Sequence, residues 1–179
     1  FRLYRDFLAL EGGLKGGMKN DENEAQKRHR FDIRELIMLQ KITASWDSVD
    51  ITRLAMSIFG GHGVMEDFSA LPRIYRDAAV NELWEGPRNV LLTQIYRDIQ
   101  RAKSWYAPEE FVAGVLKGAK PEVITALAEE IKELTAVSEP FGTDDASLDF
   151  WKQWDGFCHR LFHAYQDLAL SEVMALSNQ

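Results

Sequence analysis

The chain has 179 residues, room for one domain with a sizeable core or two small ones. Its hydrophobic fraction of 46% and charged fraction of 27% are those of a soluble globular protein, and no apolar run reaches membrane-spanning length. Lys and Arg number 21 against 28 Asp and Glu, so the net charge of −7 argues against a nucleic-acid footprint, which needs a clustered basic face.

In chain order, Leu3, Phe7, Leu10 and Leu14 recur at helical steps and predict an amphipathic helix that dissolves at Gly12-Gly13 and Gly16-Gly17. That stretch lacks the flanking strand and the Lys-Ser/Thr ending of a phosphate-cradling loop, so a frayed end and surface loop are expected. The short basic run Lys27-Arg28-His29-Arg30 follows acidic residues and suits a solvated helix face. From Arg28, one stripe runs through Ile33, Leu36, Ile37 and Ala44, and another through Ile51, Leu54, Ala55 and Ile58. These predict one long helix, or two joined near Asp47-Ser48. Gly60-Gly61-His62-Gly63 ends the run, because that glycine density is incompatible with continued helix. A loop to Ala70 precedes a helix over Leu71 to Trp84, with Pro72 in its first turn. Glu85-Gly86-Pro87 breaks it, and Leu91, Ile95, Ile99 and Ala102 define the next helix.

Composition shifts after Ala107-Pro108. A short helix near Glu109 to Leu116 leads to one that Pro121 starts, with core positions Val123, Ala126, Leu127, Ile131 and Leu134. Pro140 to Asp145 is expected as loop. The last helix, Leu148 to about Ala175, carries the aromatic stripe Phe150, Trp154, Phe157, Leu161, Tyr165 and Leu168. Cys158, the single cysteine, sits among apolar residues and is expected to be buried; one cysteine excludes an internal disulfide and fits a reducing compartment. No strand pattern appears. The expected fold is all-α, a helical bundle.

Three stretches carry chemistry. Gly60-Gly61-His62-Gly63 offers backbone N–H groups unobstructed by Cβ atoms. Arg73 and Arg76 share a helix face, and Arg76-Asp77 suits pairing with neighbouring elements. Glu85 stands where a helix stops, between bulky Trp84 and flexible Gly86, and is placed to project into a cleft. Desolvation there would raise its pKa and make it a stronger base. Each has a plainer reading as turn, ion pair or surface residue. His159 and His163 have the spacing of two metal ligands on one helix, but no second Cys or third His lies near them in sequence, so no metal is expected.

In this combination and order, the three stretches resemble the acyl-CoA dehydrogenase family over about residues 31–101. That family's C-terminal helical domain carries a Gly-Gly-x-Gly loop, an Arg-Asp pair within a helix, and an aromatic-Glu-Gly segment opening the next helix. The Trp-Glu-Gly variant with Asn89 and a helical tail looks most like the AidB-like and very-long-chain-like branches.

The resemblance implies a four-helix bundle over residues 1–106 with an appended helical segment, 107–179, packing on it. It implies FAD as cofactor, an acyl-CoA substrate, electron-transfer flavoprotein as electron acceptor, a homo-oligomer, and a cytoplasmic location. Glu85 is implied as the base that takes the α-proton, its backbone N–H helping to polarise the thioester carbonyl. Gly60, Gly61 and Asn89 are implied to contact the flavin, and Trp84 and Gly86 to border the substrate. Pro87 stands where the family usually has Thr, removing a hydroxyl and an N–H, and Ser57 where many members have Gln. The family's N-terminal helical and central β-domains have no counterpart in this sequence, so the chain is expected to be a C-terminal part that does not act alone. Two alternatives remain: an AidB-like flavoprotein recruited to nucleic acid, which the acidic tail disfavours, and a non-catalytic oligomerisation module.

Overall fold

The computed structural model describes residues 2–13, 23–138 and 140–177. Among them are seven α-helices, one 3₁₀ helix and no strand, so the all-α expectation is borne out. The helices are α1 (Arg2–Gly13), α2 (Glu24–Ile58), α3 (Leu71–Asn81), α4 (Arg88–Ala102), α5 (Pro108–Val115), α6 (Pro121–Ala136) and α7 (Asp145–Ser177). Gly60–Val64 is the 3₁₀ helix. The glycine pair Gly16-Gly17 and the position of Leu14 lie outside the described residues.

Local chemistry sets the boundaries. Asn23 opens α2 with a capping box: its Oδ1 accepts from the Gln26 N–H at 2.9 Å, and Gln26 Oε1 accepts from the Asn23 N–H at 3.1 Å. With its start fixed, α2 runs unbroken through Asp47-Ser48 for 35 residues, settling the one-or-two question in favour of one helix. It ends where Gly60 turns left-handed, φ +56°. The following glycines continue as one tight 3₁₀ turn and not as open loop. Gly63 explains the tightness: a Cβ there would lie 2.0 Å from the Met56 carbonyl oxygen, so only glycine lets the turn fold back on α2. Helix α3 stops at Asn81, three residues before the expected Trp84. Its terminal Asn81 carbonyl is held by the Lys41 ammonium and, at 3.3 Å, by the Ser45 hydroxyl, both on α2.

The core is the contact of α2, α4, α5, α6 and α7. The stripe on α7 behaves as its spacing predicts: Phe150, Trp154, Phe157, Leu161 and Tyr165 are buried, and Cys158 with them. Trp154 is fully buried, and its indole N–H donates to the Leu92 carbonyl at 3.0 Å, tying α7 to α4. Tyr96 packs edge-on against Trp154 and Phe150 and donates its hydroxyl to the Val137 carbonyl past the end of α6. On α6, Leu127, Ile131 and Leu134 are buried, whereas Ala126 faces outward. Phe31 sits edge-on to Trp105, Tyr106 and Phe111, locking α5 onto α2. Arg28 pairs with Glu24 and Glu110, each at 2.8 Å, so the basic run lies along a polar face as expected.

The second apolar stripe of α2 is not covered. Ile51, Leu54 and Ile58 are exposed, as are Phe59, Val64, Met65 and Phe68 just beyond. Two carboxyls are hidden instead. Glu35 is wholly buried with neither carboxylate oxygen hydrogen-bonded. Burial, reinforced by nearby Asp98, pushes its pKa up to about 9. Asp32 is raised to about 7 by burial, opposed by a bond from the Tyr106 hydroxyl and by Arg28.

Candidate functional site

The segment between α3 and α4 has an unusual backbone. Glu85 has φ +53°, in a region non-glycine residues rarely enter, and Gly86 follows at +101°. A Cβ on Gly86 would lie 2.7 Å from Leu91 Cδ2, so the turn presses against the first turn of α4. Two successive left-handed residues thus lie between Asn81 and Arg88, and the Glu85 side chain is exposed.

That segment forms one end of a cleft of about 700 Å³. The walls come from α2 (Lys41, Ser45, Trp46), from α4 (Arg88, Asn89, Leu92) and from α7 (Leu148, Trp151, Asp155), with Gly86 and Pro87 between. The lining is mostly apolar, with charged groups around it. Arg88 donates to Asp155 through Nη2 at 2.5 Å and Nε at 3.2 Å, bridging α4 and α7. The same guanidinium lies over the Trp46 ring of α2, 4.4 Å from its centroid.

The expected site residues divide. Gly86 and Asn89 line the cleft. Trp84 is 68% exposed, and Glu85 is exposed with no hydrogen-bond partner among the described residues. Glu85 therefore stands outside the cleft lining, next in sequence to Gly86, and not in a desolvated pocket of this chain. Its backbone is left-handed there, and its neighbours Leu83 and Trp84 are exposed with it, so this stretch lies on the surface. Gly60 and Gly61 lie on open surface, with nothing within 4 Å of a Cβ built on either, and take no part in the cleft. Arg76 pairs with Glu66 at 2.5 Å, within the same part of the fold.

Lys41, Trp46, Arg88, Trp151 and Asp155 were not legible as site residues. They lie on three helices far apart in sequence, and no spacing rule joins them. The histidine pair also gains a neighbour. His159 and His163 Nε2 atoms are 3.0 Å apart, and a carboxylate oxygen of Asp47 on α2 completes a group whose ligand atoms all lie within 4.8 Å.

Residues 18–100 match the family model described as acyl-CoA dehydrogenase, C-terminal domain, so this part of the chain is similar to the C-terminal helical domain of that family. Among curated proteins, 85 residues are 34% identical to the acyl-CoA dehydrogenase family member 11 of Caenorhabditis elegans, covering 48% of this chain and 13% of that one. Acryloyl-CoA reductase (NADH) of Anaerotignum propionicum is 38% identical over 61 residues, 34% of this chain and 15% of its own. The putative acyl-CoA dehydrogenase AidB of Escherichia coli is 38% identical over 52 residues, 29% of this chain and 9% of its own. The chain thus aligns with between 9% and 15% of the length of these relatives. No solved structure gives a significant match. No helix of the described residues is long and apolar enough to cross a membrane.

Proposed function

We propose that the protein is the C-terminal helical part of a flavin-dependent acyl-CoA dehydrogenase and supplies Glu85 as the base that removes the α-proton of an acyl-CoA thioester. The observation carrying this reading is the Glu85 backbone at φ +53°. A non-glycine residue in that region costs on the order of 1 kcal/mol, and such strain concentrates where a side chain must be aimed. Here it aims a carboxylate outward, from the motif by which the family places its base.

In this reading the base works at a boundary. The Glu85 carboxylate is exposed in this chain, and substrate together with a further domain would cover it and exclude water. The backbone N–H of Glu85 would polarise the thioester carbonyl, and Trp84 and Gly86 would border the acyl group. By the resemblance, FAD would meet only a few residues of this chain. Gly60 and Gly61 present open backbone, and Asn89 is exposed in the first turn of α4, so these three would touch a flavin held mainly by other parts of the protein. Bound there, the flavin would supply the hydride acceptor.

The bare apolar surface of Ile51, Leu54, Ile58, Phe59 and Phe68 supports burial against further parts of a longer protein or a second subunit. By the same resemblance, residues 1–106 form the family bundle, 107–179 are appended to it, and electron-transfer flavoprotein takes the electrons. The test uses the full-length protein. Glu85→Gln is expected to abolish α-proton exchange of bound acyl-CoA and bleaching of the flavin by substrate. Unchanged exchange would remove Glu85 from the reaction. The 179-residue chain alone is expected to be colourless and inactive.

A further inference from the structure

We propose that Asp47, His159 and His163 form a binding site for a late first-row divalent metal ion, Zn²⁺ foremost, clamping α7 to α2. Three observations meet there. His159 and His163, one turn apart on α7, turn their Nε2 atoms toward each other at 3.0 Å, with ring centroids 4.2 Å apart. Ligand atoms about 2.0–2.1 Å from a tetrahedral ion lie about 3.3 Å from one another, so this pair already has nearly the separation of two ligands. Asp47 brings a carboxylate from the other helix, and all three ligand atoms lie within 4.8 Å, closable by a small side-chain adjustment.

The surroundings suit a metal. The three residues are half-buried, so an ion could enter from solvent and yet be partly shielded. Two imidazole nitrogens and one carboxylate oxygen form the donor set that Zn²⁺ accepts, leaving a fourth position for water or an external ligand. The site adjoins the cleft: Trp46 precedes Asp47, and Asp155, one turn before His159, lines the cleft wall. Nothing in the dehydrogenase reading uses these residues. The competing arrangement is metal-free, with one imidazole N–H donating to its neighbour and Asp47 alongside.

Untagged protein is stripped with chelator, then titrated with Co²⁺ as a spectroscopic probe and with Zn²⁺ as competitor. The expected result is one ion per chain, a Co²⁺ spectrum of low coordination number lost on adding Zn²⁺, and a Zn²⁺-dependent rise in melting temperature. His159→Gln and His163→Ala should each weaken Zn²⁺ affinity by more than about 100-fold, since even outer partners of metal ligands are worth 10–100-fold. Asp47→Asn should weaken it about tenfold or more. Melting of each variant without metal reports whether it folds. Absence of a stoichiometric ion, or an affinity unmoved in the folded variants, overturns the site and leaves the hydrogen-bonded histidine pair. Glu85-dependent proton exchange is measured separately, so failure of this site and failure of the dehydrogenase reading are distinguishable.

Discussion

Arg88 and Asp155 are joined by two hydrogen bonds, 2.5 Å and 3.2 Å, that fasten the first turn of α4 to the first third of α7 along the cleft. Both side chains keep partial contact with solvent, 24% and 34% exposed, so the pair is worth more than a surface bridge and less than a sealed one. Arg88→Ala also removes the cation–π contact with Trp46. It is expected to destabilise the fold by about 1–2 kcal/mol. Denaturant unfolding of Arg88→Ala, Asp155→Ala and the double variant should give a coupling energy near 1 kcal/mol. Strict additivity would show that the bridge contributes nothing.

Glu85 is expected to oppose stability and function. Glu85→Gly relieves the backbone at φ +53° while adding freedom to the unfolded chain. The net gain should be on the order of 0.5 kcal/mol in denaturant unfolding. In the full-length protein the same change should abolish α-proton exchange. A loss of stability would mean that the side chain holds the turn together.

Two of the glycines should respond oppositely to alanine. Gly63→Ala puts a Cβ into the Met56 carbonyl, 2.0 Å away, and is expected to cost about 2–3 kcal/mol. Gly61→Ala meets nothing within 4 Å and should stay within about 0.5 kcal/mol. Paired thermal melts decide it; equal effects would contradict the tight 3₁₀ turn.

Buried carboxyls give the fold a pH dependence of definite sign. The folded pKa of Glu35, about 9, and that of Asp32, about 7, both exceed the ordinary carboxyl values of 4.5 and 3.8. Above those ordinary values the unfolded chain has lost protons that the folded chain retains. Stability is therefore full below about pH 4 and falls as pH rises, until about pH 7 for Asp32 and about pH 9 for Glu35. Glu35→Leu keeps the site filled and removes its proton linkage. Denaturant midpoints from pH 5 to pH 9 should fall steeply for the wild type and more gently for the variant; parallel curves would exclude Glu35 as the source.

The metal site is legible only by half in the sequence. Spacing on α7 pairs His159 with His163, because four residues are one helical turn. Asp47 lies more than a hundred residues earlier, and only the packing of α2 against α7 brings it alongside. The cleft has the same origin: Lys41, Arg88 and Asp155 each look like ordinary solvated charges in their own helices. In the opposite direction, the stripe Ile51, Leu54 and Ile58 promises a buried face, and the described residues leave it exposed.

What the amino-acid order determined unaided is local: where helices run, which stripe of α7 is buried, where glycine halts α2, and the Trp-Glu-Gly turn that carries the resemblance. Those features depend on helical period, capping and backbone freedom, all of which act within a few residues. Tertiary packing decided that Glu35 is sealed in the core, that Asp47 meets the histidines of α7, and which helices wall the cleft. These depend on contacts between residues tens of positions apart, whose meeting is fixed only when the apolar faces of the bundle are matched.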